Sequence, residues 1–119
     1  MVARVKTGQV ETGQVETGQV GHGLDHAELR AEWRDLVERR LPEGWRLGWP
    51  VRFDHCFARI LLDTSVGRPW REVIPAPAWK NAPPEVLRRA IATGEAVLAD
   101  EASLVELNRE SLRLRGKRW

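Results

Sequence analysis

The sequence predicts a mainly α-helical fold in a single compact domain, with about four helices and one extended edge segment or small β element. Three observations lead to this prediction. Apolar residues recur at intervals of three and four in four separate stretches, as they do on the buried face of a helix. Helix-capping residues precede several of these stretches. A strict alternation of apolar residues, which is typical of an extended chain, occurs in only one segment.

The N-terminal part of the chain differs from the rest because it contains a five-residue repeat. Thr-Gly-Gln-Val occurs three times, starting at Thr7, Thr12 and Thr17. One glycine in every five residues disfavours a helix, and a single valine per repeat buries little apolar surface. We therefore expect residues 1–23 to be a disordered tail, left by repetitive DNA or an upstream start codon, with a small recognition segment as the alternative. The helical domain is expected to span residues 24–119.

The first helix is predicted to begin at Asp25. Asp25 and Glu28 have the spacing of a capping box, in which each side chain accepts a hydrogen bond from the backbone amide of the other residue. Apolar residues then follow at helical intervals as far as Leu41. Pro42 and Gly44 are expected to end the helix.

Residues 45–53 are predicted to be extended. Positions 45, 47, 49, 51 and 53 are apolar, and the four positions between them are arginine, glycine or proline. In an extended chain the five apolar side chains lie on one face. Pro50 has no amide hydrogen for a strand ladder, so a strand here would lie at an edge. Val73 and Ile74 are the candidate pairing partner, which limits any sheet to a small two-stranded element.

Three further helices complete the predicted domain. Asp54 is placed to cap a second helix over residues 55–64. Proline opens a third helix over residues 84–99. Ser103 caps a fourth helix, which Gly116 is expected to end.

The six tryptophans of the sequence fall into two groups. The first group occupies apolar positions of the first helix and of the alternating segment, and is predicted to lie in the core. The second group lies in the proline-rich connection over residues 68–84 or at the C-terminus, where no periodicity requires burial, so this group is the one expected to mark a binding surface. The first group is Trp33, Trp45 and Trp49, and the second is Trp70, Trp79 and Trp119.

The candidate catalytic residues are the adjacent Asp54, His55 and Cys56. A cysteine in the first turn of a helix has its thiolate stabilised by amide groups and by the helix dipole, and an imidazole can serve as its base. Neighbouring helical residues point about 100° apart, however, so His55 and Cys56 cannot face each other within one regular turn. The alternative, that Cys56 is a small buried apolar residue, is favoured. The spacing of histidine, cysteine and glycine residues predicts no metal site and no cofactor.

Basic residues are concentrated towards the C-terminus. Residues 67–119 carry ten basic and seven acidic side chains, against a net charge of +2 for the whole chain. Arginine and lysine neutralise phosphates, and exposed tryptophan stacks on unpaired bases. This surface is therefore a candidate contact for nucleic acid or a protein partner, the alternative being a solvated helix face. The candidate residues are Arg68, Trp70, Arg71, Arg88, Arg89, Arg109, Arg113, Arg115, Lys117, Arg118 and Trp119.

Three runs of sequence carry a resemblance to known proteins. They are Trp-Pro-Val-Arg-Phe-Asp-His-Cys-Phe-Ala-Arg-Ile at 49–60, Gly-Arg-Pro-Trp at 67–70 and Asn-Arg-Glu-Ser-Leu-Arg-Leu-Arg-Gly-Lys at 108–117. Over most of residues 42–117 the chain resembles a group of small bacterial proteins, some of which are identified as GNAT-type N-acetyltransferases. The resemblance implies acetyl-CoA as a substrate. It carries no catalytic residue onto this chain, which lacks the glycine-rich turn that holds the pyrophosphate in that family.

These observations predict a small, non-catalytic binding or accessory module that contacts nucleic acid through its C-terminal basic face. The alternatives are a GNAT-like or Cys56-dependent enzyme and a protein–protein interaction module. The single cysteine excludes an intramolecular disulfide framework. The absence of long apolar runs and of a signal peptide predicts a cytoplasmic, bacterial protein without membrane contact. The oligomeric state is left open.

Overall fold

Residues 25–116, which a computed structural model of the protein describes, are arranged around one central helix. This helix, α3, packs against both α5 and α6, while α1 packs against α5. The mainly helical prediction is confirmed. The repeat in residues 1–23 and the segment 117–119 lie outside the described residues. The helices are α1 (His26–Asp35), α2 (Leu41–Glu43), α3 (Asp54–Val66), α4 (Ala78–Asn81), α5 (Pro84–Leu98) and α6 (Leu104–Leu114).

The first helical stretch begins as the sequence predicts. The Glu28 amide donates to Asp25 Oδ1 at 2.8 Å, and the Asp25 amide donates to Glu28 Oε1 at 3.0 Å, which completes the capping box. Between α1 and α2 the chain stays helical but widens into a π-helical turn over Leu36–Arg40. Pro42 lies inside the last turn instead of ending the helix before it. A proline has no amide hydrogen to donate to the preceding turn, so its place at the start of α2 leaves no donor unsatisfied.

The core is formed by apolar side chains of α1, the π-helical turn, α3 and α5. Gly94, which is buried in α5, lies in tight contact with two of the other elements. A Cβ atom at this position would lie 2.6 Å from Leu36 Cδ2 and 3.1 Å from Leu61 Cδ1, so a glycine allows the contact. The largest fully buried apolar side chains are Trp33, Phe57, Leu29, Leu36, Leu41, Ile60, Leu61, Leu62, Leu87, Ile91 and Val97.

The alternating segment after α2 does not place its apolar side chains on one face, and that prediction is wrong. The Trp49 amide donates to the carbonyl three residues earlier at 3.1 Å, and Gly48 has a φ of +98°, so the chain turns instead of extending. Leu47, in this turn, is 92% exposed, and Phe53 is 60% exposed. Trp45 and Trp49 are half-buried and not in the sealed core. No strand occurs within residues 25–116, so an extended segment here has no ladder to join.

The remaining helix ends agree with the sequence more closely. The second predicted helix starts one residue early, because Phe53 is the cap and Asp54 is already helical, with its carboxylate accepting from the His55 amide at 2.7 Å. Gly67, in the left-handed region at φ +77°, ends α3 as predicted. The predicted cap of α6 is confirmed, because Ser103 Oγ accepts from the amide three residues later at 3.2 Å.

The proline-rich connection between α3 and α5 contains short helical turns. A 3₁₀ turn covers Trp70–Glu72, and α4 follows it. Val73 and Ile74, the candidate partner of the alternating segment, form no strand; Ile74 is buried in the core and Val73 is half-exposed. Within residues 25–116, none of the helices has both the length and the apolar character needed to cross a membrane.

A tryptophan-lined cleft as the candidate functional site

A cleft of about 310 Å³ opens between the first helical stretch, the start of α3 and the connection that leads into α4. Its apolar lining includes Val37 from the π-helical turn and Ala58 and Leu62 from α3. The volume lies at the lower end of the range found for ligand sites. Three tryptophans from two distant parts of the sequence also line the cleft: Trp33, Trp70 and Trp79.

The three tryptophans differ in how much of each ring is accessible. Trp33 is 2% exposed, in agreement with its predicted place in the core. Trp79, predicted to be at the surface, is 37% exposed. Trp70 lies between these extremes, because it packs against the core while also lining the cleft. The cleft therefore joins one tryptophan of the predicted core group to two of the predicted surface group.

Two arginines stack on the indole rings at the edge of the cleft. The Arg34 guanidinium lies 4.6 Å from the centre of the Trp79 ring, and Arg34 Nε also donates to Glu38 Oε2 at 3.1 Å. The Arg71 guanidinium lies 5.3 Å from the centre of the Trp70 ring. Cation–π contacts of this kind favour ring orientations that keep the guanidinium over the indole face. The exposed ring of Trp79 and the half-buried ring of Trp70 are thus partly oriented before any ligand arrives.

The π-helical turn contributes to the same cleft. Val37 and Glu38 belong to this turn and line the cleft, whereas Trp33 and Arg34 line it from the regular helix before the turn. π-Helical turns inside α-helices are rare and occur often at functional sites. The irregular turn therefore supports the choice of this cleft among the surfaces of the fold.

Two of the three catalytic candidates line the cleft, and the third does not. Asp54 and His55 are lining residues. The His55 ring stacks on Phe53 with a centroid distance of 6.1 Å, and its Nδ1 lies 3.5 Å from Asp54 Oδ1. Cys56 is half-buried and absent from the lining, and the described residues show no hydrogen bond between Cys56 and the His55 ring. The structure does not bring His55 and Cys56 together as a nucleophile and its base.

The arginines of the predicted basic face in α6 are paired with acidic residues. Arg109 Nη1 lies 3.2 Å from Glu106, and Arg113 Nη2 lies 2.6 Å from Glu110. The hydrogen bond from Arg113 lowers the pKa of Glu110 and raises the pKa of Arg113 itself. Each positive charge on this face is therefore matched by a neighbouring negative one.

The other basic candidates lie in several different environments. Arg89 Nη1 donates to the Ser65 carbonyl at 2.6 Å, and Arg68 lies 3.4 Å from Glu72. Arg88 is half-buried on α5. Residues 25–116 contain 15 basic and 15 acidic side chains, so the net charge of +2 comes from the two basic residues after them. Lys117, Arg118 and Trp119 lie outside the described residues.

Arg115, the last basic candidate, belongs to a buried polar network that sequence reasoning missed. Its partner is Asp63, a fully buried carboxylate in α3. Arg115 donates to Asp63 through Nε at 2.6 Å and through Nη2 at 3.1 Å. The carboxylate also accepts from Ser111 Oγ at 2.7 Å and from the Trp70 amide at 2.8 Å. The one sequence feature that points to this buried network is a charged residue, Asp63, directly after the apolar run Ile60-Leu61-Leu62.

The network extends along α6 through Arg59. Its Nη1 donates to Ser111 Oγ at 2.9 Å, and its Nη2 donates to Asn108 Oδ1 at 2.8 Å. Burial lowers the pKa of Arg59, because the protein interior disfavours its charged form. Since Asp63 also holds the Trp70 amide, the network fixes one wall of the cleft to the helical core.

Comparison with protein-family models, with curated proteins and with solved structures finds no match for this chain. The resemblance to GNAT-type proteins therefore stays a prediction. Within residues 25–116, no group of three or more histidine, cysteine or acidic side chains is arranged to hold a metal ion.

Proposed function

We propose that the protein is a non-catalytic protein-interaction module, and that its tryptophan-lined cleft receives an apolar side chain of a partner polypeptide. One observation carries this proposal: the apolar cleft has charged residues at its margin. The apolar lining includes Trp33, Val37 and Leu62. The charged margin is Arg34, Glu38, Asp54 and Arg71.

This arrangement is typical of a binding hot spot. In protein interfaces a few aromatic and arginine residues supply most of the binding energy, and a polar rim around them excludes water. The stacked arginines and the hydrogen bond from the Trp70 amide to Asp63 support the same conclusion. Side chains that are already ordered lose less conformational entropy when a partner binds.

The charge distribution favours a polypeptide over nucleic acid as the ligand of the described fold. Non-specific affinity for nucleic acid comes from the neutralisation of phosphates by unmatched positive charge. Residues 25–116 carry equal numbers of basic and acidic side chains. Contact with nucleic acid through the C-terminal basic face therefore stays a separate prediction, which the salt dependence of DNA binding tests.

Selection of random peptides displayed on phage tests the proposal on the full chain. We expect the selected peptides to share a leucine or aromatic anchor and, as synthetic fluorescent peptides, to bind with a Kd on the order of micromolar by anisotropy. Trp79→Ala should weaken binding by about tenfold, because it removes an exposed wall of the cleft.

A matched control is available at Trp45. This indole also has a guanidinium 4.6 Å from its centre, that of Arg52, but it does not line the cleft. Trp45→Ala should change the peptide Kd by less than twofold, because residues outside a binding hot spot contribute little to the binding energy. Equal losses in the two variants, or no selected peptide, would refute the proposal.

A further inference from the structure

Charged side chains at the margin of the tryptophan-lined cleft differ in whether the fold already neutralises them. Arg34 and Glu38 neutralise each other, because Arg34 Nε donates to Glu38 Oε2 at 3.1 Å. The two remaining charges are Arg71, from the 3₁₀ turn after α3, and Asp54, from the first turn of α3. Within residues 25–116 no ion pair joins these two to each other. Arg71 and Asp54 therefore decide which charges suit a partner of the cleft.

Arg71 has no carboxylate partner in the described part of the chain. Its side chain is exposed, and its guanidinium lies 5.3 Å from the centre of the Trp70 ring. A guanidinium carries five N–H donors in a planar fork that matches the two oxygens of a carboxylate. Arg71 is therefore available to a carboxylate on another molecule.

Asp54 keeps one carboxylate oxygen for a partner. Its Oδ1 accepts from the His55 amide at 2.7 Å and lies 3.5 Å from His55 Nδ1. Among residues 25–116, Oδ2 has no hydrogen-bond donor, and the side chain is 58% exposed. An ionised carboxylate accepts about four hydrogen bonds, so Asp54 has room for the ammonium or guanidinium group of a bound molecule.

The size of the cleft determines which residues of a bound peptide reach these two charges. A volume of about 310 Å³ corresponds to a cube with an edge of about 7 Å. An extended chain advances about 3.3 Å per residue, so two residues span this edge. With its anchor in the cleft, a peptide therefore places residues within about three positions of the anchor over the charged margin.

We infer that the partner of the cleft is a segment of another polypeptide with mixed charge, in which an acidic residue that binds Arg71 and a basic residue that binds Asp54 flank the apolar anchor. This inference rests on the proposed function and adds the charge pattern of the ligand to it. Complementary charges at the rim of an interface select among partners and fix how they lie, whereas the buried anchor supplies most of the affinity. A segment with only acidic flanking residues meets Asp54, and one with only basic flanking residues meets Arg71.

The peptides selected on the full chain give the first test. We expect them to carry one acidic and one basic residue within about three positions of the anchor. Binding of one such synthetic peptide is then compared, by fluorescence anisotropy at low salt, with that of a version in which lysine replaces the acidic residue. The wild-type chain should bind the original peptide about three- to fivefold more tightly, the upper end of the range for exposed ion pairs.

Charge reversal in the protein identifies the contact. Arg71→Glu should invert the preference, so that the lysine version binds more tightly than the original. Asp54→Lys should likewise invert the preference for a basic residue at the other flank. A merely disturbed cleft would weaken both versions alike, so an inversion reports the charge contact itself. Both side chains are exposed, and thermal unfolding followed by circular dichroism verifies that the variants fold.

Arg52→Glu is the matched control. Arg52 also stacks on an indole, 4.6 Å from the centre of the Trp45 ring, and it does not line the cleft. This variant should keep the wild-type preference. In about 1 M salt, where the Debye length is about 3 Å, the wild-type preference should fall below twofold, because exposed charges are then screened.

Failure of this inference is distinguishable from failure of the proposed function. Selected peptides that share an anchor without flanking charges would overturn the inference and leave the proposed function intact, as would an Arg71→Glu chain that keeps the wild-type preference. Absence of any selected peptide would overturn both. A wild-type dimer in light scattering that Trp79→Ala dissociates would assign the cleft to a second copy and overturn the inference of a separate partner.

Discussion

Replacing Asp63 by asparagine should destabilise the fold more than any other change of one charged side chain described above. The carboxylate is fully buried and accepts hydrogen bonds from Arg115, from Ser111 and from the Trp70 amide. Asparagine keeps the shape but removes the charge, and its amide group presents hydrogens to an arginine that also donates. The Arg115 side chain, 25% exposed, would then remain largely buried without its counter-ion.

The magnitude follows from the burial of the pair. Removal of one partner from a buried ion pair costs about 3–5 kcal/mol, and the partial exposure of Arg115 places this case near the lower value, about 3 kcal/mol. With an m value of about 1.5 kcal/mol per M in urea, the unfolding midpoint should fall by about 2 M. Such a loss is a large part of the stability of a small domain.

Urea unfolding followed by tryptophan fluorescence and circular dichroism measures this loss. Glu110→Gln is the matched control, because Arg113 lies 2.6 Å from Glu110, the same distance as Arg115 from Asp63, but in an exposed pair. Its midpoint should stay close to that of the wild type, since water and salt screen exposed pairs. Similar midpoints for Asp63→Asn and Glu110→Gln would refute the reasoning that burial makes the Asp63 network structural.

Other expected outcomes concern the core, the surface pairs and the charge balance. Gly94→Ala should lower the free energy of unfolding by about 1 kcal/mol in urea melts, because the clash with Leu36 outweighs the gain in helix propensity; a stabilised variant would contradict this. The hydrogen bond from Arg39 lowers the pKa of Asp35 below its ordinary value of 3.8. The pair therefore stabilises the fold fully above about pH 3.8, and this stabilisation is lost as the pH falls through the lowered pKa of Asp35. NMR titration should show the lowered pKa in wild type and its return towards 3.8 in Arg39→Gln; an unchanged pKa would contradict the assignment. In anisotropy titrations with single-stranded DNA, the slope of log K against the logarithm of the salt concentration should be no steeper than about −1.4, the value for two phosphate contacts. A much steeper slope would show that the paired arginines also contact phosphates.

The helices could be predicted from the sequence because their signals are local. The capping box at Asp25 and the cap at Ser103 each involve residues three positions apart, and both occur in the structure. Gly67 ends α3 through a left-handed backbone that favours glycine. Such features depend little on the rest of the fold.

The candidate site could be predicted only in part, because its geometry depends on distant contacts. The sequence identifies Trp70 and Trp79 as surface tryptophans, but nothing in their spacing places them beside Trp33. Asp63 bonds to residues 48 and 52 positions away, so its role is invisible to a reading of nearby residues. The alternation of apolar residues ending at Phe53 led to a wrong prediction of an extended segment for the opposite reason. It is a local pattern that needs a neighbouring strand, and the described fold supplies none.

The π-helical turn makes the cleft sensitive to the length of its helix. A helix turns by about 100° per residue, so deletion of one residue within Leu36–Arg40 would restore a regular helix and rotate the residues before the turn by that angle relative to the residues after it. Trp33 lies before the turn and Glu38 within it, and they would no longer face the same cleft. A related chain that is one residue shorter here could keep most of its helices and yet lose this binding site. Conservation of length, more than of residue type, would then trace the site among relatives.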